Sequence, residues 1–115
     1  RVLFTAGGSE ANNLAIIAIM AKNGYEKQHL ITTCIEHPSV INTCKWLEQR
    51  GIDVTYLPVE KDGCILPENL RNAIRKETRL ISIMMANNET GSIQPIDELC
   101  KIAHEHGIIF HIRAA

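Results

Sequence analysis

The chain has 115 residues, with 12 Lys plus Arg against 13 Asp plus Glu and a formal net charge of −1. That balance leaves no basic footprint for nucleic acid or an anionic membrane. With 45% hydrophobic and 22% charged residues, the composition suits a core-forming chain and excludes a disordered one. The longest apolar run, Leu14 to Ala21, falls far short of the roughly 20 residues that a membrane-spanning helix needs.

In chain order, residues 2–5 read as a strand that Gly7 and Gly8 end. Residues 9–23 read as a helix, with Ser9 as N-cap and Gly24 past its end. Its apolar residues run nearly all round, which predicts burial on most faces. Residues 29–33 form the second strand. Pro38 then stands where a helix N1 proline would. Val40, Ile41, Cys44 and Leu47 follow at helical spacing, and Gly51 closes that helix.

Residues 53–57 alternate as a third strand, and Lys61-Asp62-Gly63 is a turn. Pro67 and Glu68 open a short helix carrying Leu70, Ala73 and Ile74. Residues 79–85 form a nearly continuous apolar strand, of the kind found at the centre of a parallel sheet. Residues 86–94 read as a polar loop and 95–106 as the last helix, with Gly107 as its stop. Residues 108–112 form the fifth strand.

This alternation predicts an α/β fold: a mostly parallel sheet of about five strands joined by βαβ units, with no internal domain boundary over residues 1–115. The chain opens and closes on strand-like runs, so it is expected to be part of a longer sheet. Cys34, Cys44, Cys64 and Cys100 are widely spaced, which argues against a zinc site and reads as small buried hydrophobes. His104 and His106 do not share a helix face and make a poor metal pair. His29 and His111, in or beside strands, read as structural.

Ligands of open parallel sheets bind outside the carboxyl ends of the strands. The groups gathered there are Gly7-Gly8-Ser9-Glu10, Cys34-Ile35-Glu36-His37, Asn87-Asn88-Glu89-Thr90-Gly91 and Arg113. The Gly-Gly-Ser turn is either an anion site at a helix N-terminus or an ordinary capped turn. His37 is either a local hydrogen-bonding residue or a ligand-facing one, and Asn88 either a turn-former or a ligand contact. Together they point to a phosphate-bearing small molecule with a His and an Asn nearby.

The string Phe4-Thr5-Ala6-Gly7-Gly8-Ser9-Glu10-Ala11-Asn12-Asn13 resembles the F-T-S-G-x-T-E-x-N-N motif of the cysteine desulfurases. These are pyridoxal-phosphate enzymes of fold type I, related to class V aminotransferases and to selenocysteine lyases. Three further segments match in order: His29 to Thr33 with Glu36-His37, Asn87 to Gly91 with Gln94-Pro95, and Phe110-His111-Ile112. The resemblance covers essentially the whole chain. It implies that Gly8 and Ser9 hold the cofactor phosphate, that Glu10 follows in that loop, and that Asn88 lies near the phenolic oxygen. It also implies that His37 stacks on the pyridine ring and serves proton transfer.

The implied reaction converts L-cysteine to L-alanine and passes the sulfur to an enzyme cysteine as a persulfide, for iron–sulfur cluster assembly or RNA thiolation. The implied setting is a homodimer serving a sulfur-acceptor scaffold in a bacterial cytoplasm or a mitochondrial matrix. Neither nucleic acid nor membrane is an expected partner.

One residue departs from the motif. Arg113 stands where the family has an Asp that bonds the ring nitrogen. A guanidinium cannot accept that bond, so the ring nitrogen would stay unprotonated and the cofactor would be a weaker electron sink. The family's cofactor-bonding lysine and persulfide cysteine have no counterpart among the 115 residues. The resemblance therefore implies a cofactor-cradle segment that is inactive alone. The alternatives are a selenocysteine lyase or other class V enzyme, and a non-catalytic remnant serving as an interaction module.

Overall fold

A computed structural model describes residues 2–5, 9–22, 24, 27–84, 86–87 and 92–113, and for 9–12, 86–87 and 92–93 the backbone only. The elements in order are β1 (Val2–Thr5), α1 (Ser9–Ala21), β2 (His29–Thr33), α2 (Pro38–Glu48), β3 (Asp53–Leu57) and α3 (Pro67–Ala73). They continue with β4 (Thr78–Met84), β5 (Ala86–Asn87), β6 (Ser92–Ile93), α4 (Ile96–Glu105) and β7 (Ile109–Arg113). Five strands form one sheet in the order β1-β7-β4-β2-β3, and every pair in it is parallel.

Side chains alternate across the sheet and build two cores. On one face Leu30 and Leu80 meet Ile16 and Met20 of α1 and Val40, Cys44 and Leu47 of α2. On the other, Ile31, Ile81, Ile83, Phe110 and Ile112 meet Leu70 of α3 and Leu99, Ile102 and Ala103 of α4. Each fully buried Leu or Ile contributes roughly 1.5–3 kcal/mol. The crossovers rightward from β1 and β2 use α1 and α2. Those returning from β3 and β4 use α3 and α4, so right-handed connections put the two helix pairs on opposite faces.

Helices α2 and α4 end by the same device. Gly51, with φ of 98°, and Gly107, with φ of 66°, take the left-handed region. Ile52 N then donates to Leu47 O at 3.3 Å and Ile108 N to Ala103 O at 2.9 Å. These are Schellman bonds, which satisfy last-turn carbonyls. Each reversal drops a buried isoleucine directly before the next strand.

Two expectations are corrected. Residues 86–94 are not wholly a loop: β5 and β6 pair antiparallel, Ala86 with Ile93 and Asn87 with Ser92. A two-residue ladder is too short to give alternating hydrophobicity, so no periodic signal marks it. Helix α1 is not buried on most faces: Ile16 and Met20 are fully buried, but Leu14 is 60% exposed. Among the described residues the helix packs against the sheet and α2, which leaves Leu14 on its outer face.

Replacing Gly107 by Ala is expected to cost about 1–2 kcal/mol, the penalty of a Cβ in the left-handed region. No atom lies within 4 Å of where that Cβ would stand, so no clash adds to it. Urea unfolding of the variant checks the value.

Candidate functional site

The loop after β2 leads to α2 on one face, and the loop after β4 leads to α4 on the other. Because β2 and β4 are neighbours, their carboxyl ends form a topological switch point, where open parallel sheets bind ligands. The backbone ladder between these strands runs only to Ile31 and Ile81. Beyond it, Thr32 Oγ1 donates to the Ser82 carbonyl at 2.8 Å and Arg113 Nη2 donates to the same carbonyl at 3.3 Å.

Arg113 ends β7 with its side chain 3% exposed, and Glu36, in the loop after β2, is 1% exposed. They form an ion pair through Arg113 Nη2 and Glu36 Oε1. Thr33 Oγ1 donates to the other carboxylate oxygen. The pair crosses above β4 and ties the outer end of β7 to the β2–α2 loop. Arg113 Nε, also buried, has no hydrogen-bond partner among the described residues. Cys44 lies within the electrostatic reach of this pair, yet burial pushes its thiol up to about 12, which makes it an inert core residue.

One layer below, His111 is fully buried. Its Nε2 shares a 2.9 Å hydrogen bond with Thr5 Oγ1, and its Nδ1 a 2.8 Å bond with Ser82 Oγ. Burial, and then the Arg113 charge, lower its pKa to about 4. His29 is held in the same manner, by Thr78 Oγ1 at 2.6 Å and Thr55 Oγ1 at 2.7 Å. Burial lowers its pKa too, with Arg75 adding to the effect. Both histidines are structural, as their places in strands imply.

His37 is different. It is exposed and stands at the N-cap of α2, with φ −56° and ψ 144°. Pro38 imposes that extended backbone on the residue before it. The His37 carbonyl accepts from Val40 N at 2.9 Å and Ile41 N at 3.1 Å. Its Nδ1 accepts from Ser39 N at 3.1 Å and lies 2.9 Å from Ser39 Oγ. A backbone N–H can only donate, so the proton of the neutral ring sits on Nε2.

Of the residues singled out from sequence, His37 and Arg113 fall on the switch-point edge, where Glu36, directly before His37, pairs with Arg113 at the end of β7. Ser9 and Glu10 open α1 behind β1 as backbone. Gly8 and Asn88 lie outside the described residues. Ser9 is the first helical residue, and the N-cap position before it is also outside them. The expectation of buried cysteines fails in part: only Cys44 is buried, and Cys34, at the end of β2, is exposed. A strand's last residues lose their covering helix, so the residue after β2 meets solvent. Among the described residues no group of His, Cys, Asp and Glu is able to hold a metal ion.

Sequence reasoning placed Glu36 on this edge but not its pairing with Arg113, and it missed Ser82 and Ser39. The available signal was Arg113 itself. A cation ending the buried run Ile109 to Ile112 requires an acid nearby, and Glu36 is the acid at the neighbouring strand ends.

The aminotransferase class-V family model matches residues 1–115. A cysteine desulfurase of Methanosarcina thermophila, IscS, is 54% identical over 113 residues, covering 98% of this chain and 28% of the relative. A solved structure described as SspA in complex with cysteine is 48% identical with a TM-score of 0.83, covering 90% of this chain and 30% of its own. DndA from Streptomyces lividans is 35% identical with a TM-score of 0.81, covering 94% and 30%. The chain thus spans less than a third of the length of these relatives.

The buried histidines set an acid limit on stability. His111 takes up a proton near pH 4 in the folded chain, against an ordinary 6.5 when unfolded. Between those values the unfolded state binds more protons, so stability falls as pH falls through that window. His29 acts in the same direction. Urea midpoints across the window are expected to drop toward acid, and His111→Gln to flatten the slope.

Proposed function

The chain belongs to the aminotransferase class-V family, and from that premise we propose that it supplies part of the cofactor cradle of a cysteine desulfurase. The observation that carries the reading is the placing of an exposed imidazole, His37, at the switch-point edge of a chain 54% identical to a cysteine desulfurase. In that reading L-cysteine loses Sγ to a thiol, which becomes a persulfide, and the carbon skeleton leaves as L-alanine. The cysteine held in the SspA structure supports that substrate class. The activity belongs to the whole protein, working as a homodimer and passing sulfur to an acceptor scaffold, in a bacterial cytoplasm or mitochondrial matrix.

Family membership implies pyridoxal phosphate. One buried atom tests the fit: Arg113 Nε carries a proton and lacks a partner among the described residues. It suits a bare pyridine nitrogen, which accepts, and not a protonated one, which donates. The first-turn N–H groups of α1, a helix of 13 residues that Ser9 opens behind β1, suit the phosphate. The residues fit the group with its ring nitrogen unprotonated.

When bound, the cofactor supplies an electron sink for the substrate carbon, weaker than with a protonated ring. The chain's own residues do the rest. His37 presents Nε2–H at the edge and holds or returns a proton there. Arg113, fixed by Glu36, keeps positive charge at the base of the cradle. By the family resemblance Asn88 would stand by the phenolic oxygen, and Glu10 would follow the residues that hold the phosphate. Cys34, Cys44, Cys64 and Cys100 have no counterpart to the persulfide cysteine of the family.

In the whole enzyme, L-cysteine with a thiol reductant is expected to give alanine and sulfide in equal amounts. His37→Ala should lower kcat by about 10²–10⁴-fold while cofactor content per chain stays near that of the parent. Cofactor loss with unchanged kcat per bound cofactor would reduce His37 to a packing residue. Amino-acid turnover without sulfide would overturn the desulfurase reading.

A further inference from the structure

The outer face of α1 has the composition of an interior, and none of the described residues covers it. Leu14 is 60% exposed, Ala18 and Ala21 are exposed, and Ile17 is half-buried. At about 3.6 residues per turn these four share one stripe, opposite Ile16 and Met20, which face the core. The chain has no charged residue from Ala11 to Ala21. The outer faces of the other long helices differ. Helix α2 exposes Lys45 and Glu48, and α4 exposes Asp97, Glu98, Lys101 and Glu105. Charged residues on an outer face mark a helix that meets water, and a helix apolar all round belongs inside.

We propose that the outer face of α1 is a docking surface for a helix of the same polypeptide, drawn from outside residues 1–115. The whole protein has the material, since this chain covers only 28% of the IscS relative.

Size favours that occupant over a second copy. Leu14 and Ala21 are seven residues apart, about 10 Å along the axis, and the stripe is one helix wide. A stable interface between separate proteins buries about 800 Å² on each partner, far more than such a stripe offers. A segment of the same chain is already tethered and does not pay the full entropy of association, so a small face suffices.

Relief favours a helix. Leu14 stands out, while Ala18 and Ala21 leave a hollow one and two turns on, a spacing into which a ridge of a second helix packs. With no charge on the stripe to pair, the docking helix must present an apolar face of its own.

The test uses the whole protein in its native state. A Leu14→Cys thiol, followed by mass spectrometry of the peptide that carries residue 14, is expected to react with a neutral maleimide at least about 100-fold more slowly than in urea. A photoreactive diazirine side chain at the same position, in protein refolded from a mixture of ¹⁵N-labelled and unlabelled chains, then identifies the cover. The expected cross-link joins residue 14 to a helical peptide outside residues 1–115 and stays within one isotope class. Labelling as fast in the native protein as in urea would overturn the proposal. Cross-links between the two isotope classes would overturn it too, because a second copy would then cover the face, as would cross-links confined to residues 1–115.

Discussion

The sheet edge at which the cofactor cradle is proposed depends on one buried ion pair. Arg113 and Glu36 are each almost fully shielded from water. They come from strands that do not touch, since β4 lies between β7 and β2. Burying either charge alone is costly, and together they leave each other little freedom. The pair therefore fixes where the loop after β2 departs, and His37 is the next residue of that loop. A pair of this kind adds little net stability over a well-packed apolar pair, so its value lies in geometry.

Around it the polar groups are layered. Leu30 and Leu80 form an ordinary apolar layer. Above them Ser82, Thr32 and His111 exchange hydrogen bonds where the β2–β4 ladder stops. At the rim stand Arg113 and Glu36. The same face thus passes from hydrophobic core to a charged pair within a few residues, and of the Arg113 side chain only Nε is left without a partner among the described residues. His111 belongs to the middle layer: burial keeps it neutral at ordinary pH, which spares Arg113 a neighbouring positive charge.

Much of this was legible in the sequence. Continuous apolar runs such as Leu80 to Met84 announce central parallel strands, and Pro38 and Gly107 mark the helix ends that the structure places beside them. The switch-point edge follows from element order alone, and it gathers His37 and Arg113 as expected. What escaped has physical causes. The β5–β6 pairing is too short for periodicity to register. The exposed face of α1 depends on which layers cover it, a tertiary fact. Ser39 and Ser82 look like any surface or strand serine until the fold puts a histidine nitrogen beside each hydroxyl. Arg113 is visible as an oddity in sequence, but only the structure supplies its partner, Glu36, from 77 residues away.

Arg113 and Glu36 act as a unit, and a double-mutant cycle measures that directly. Arg113→Met and Glu36→Leu are made singly and together, and unfolding free energies are compared. Each single change is expected to cost about 3–5 kcal/mol, by stranding a buried charge, and the double change no more than the larger single one. Costs that simply add would mean the two residues do not hold each other, and the pair would not be what places His37 at the edge.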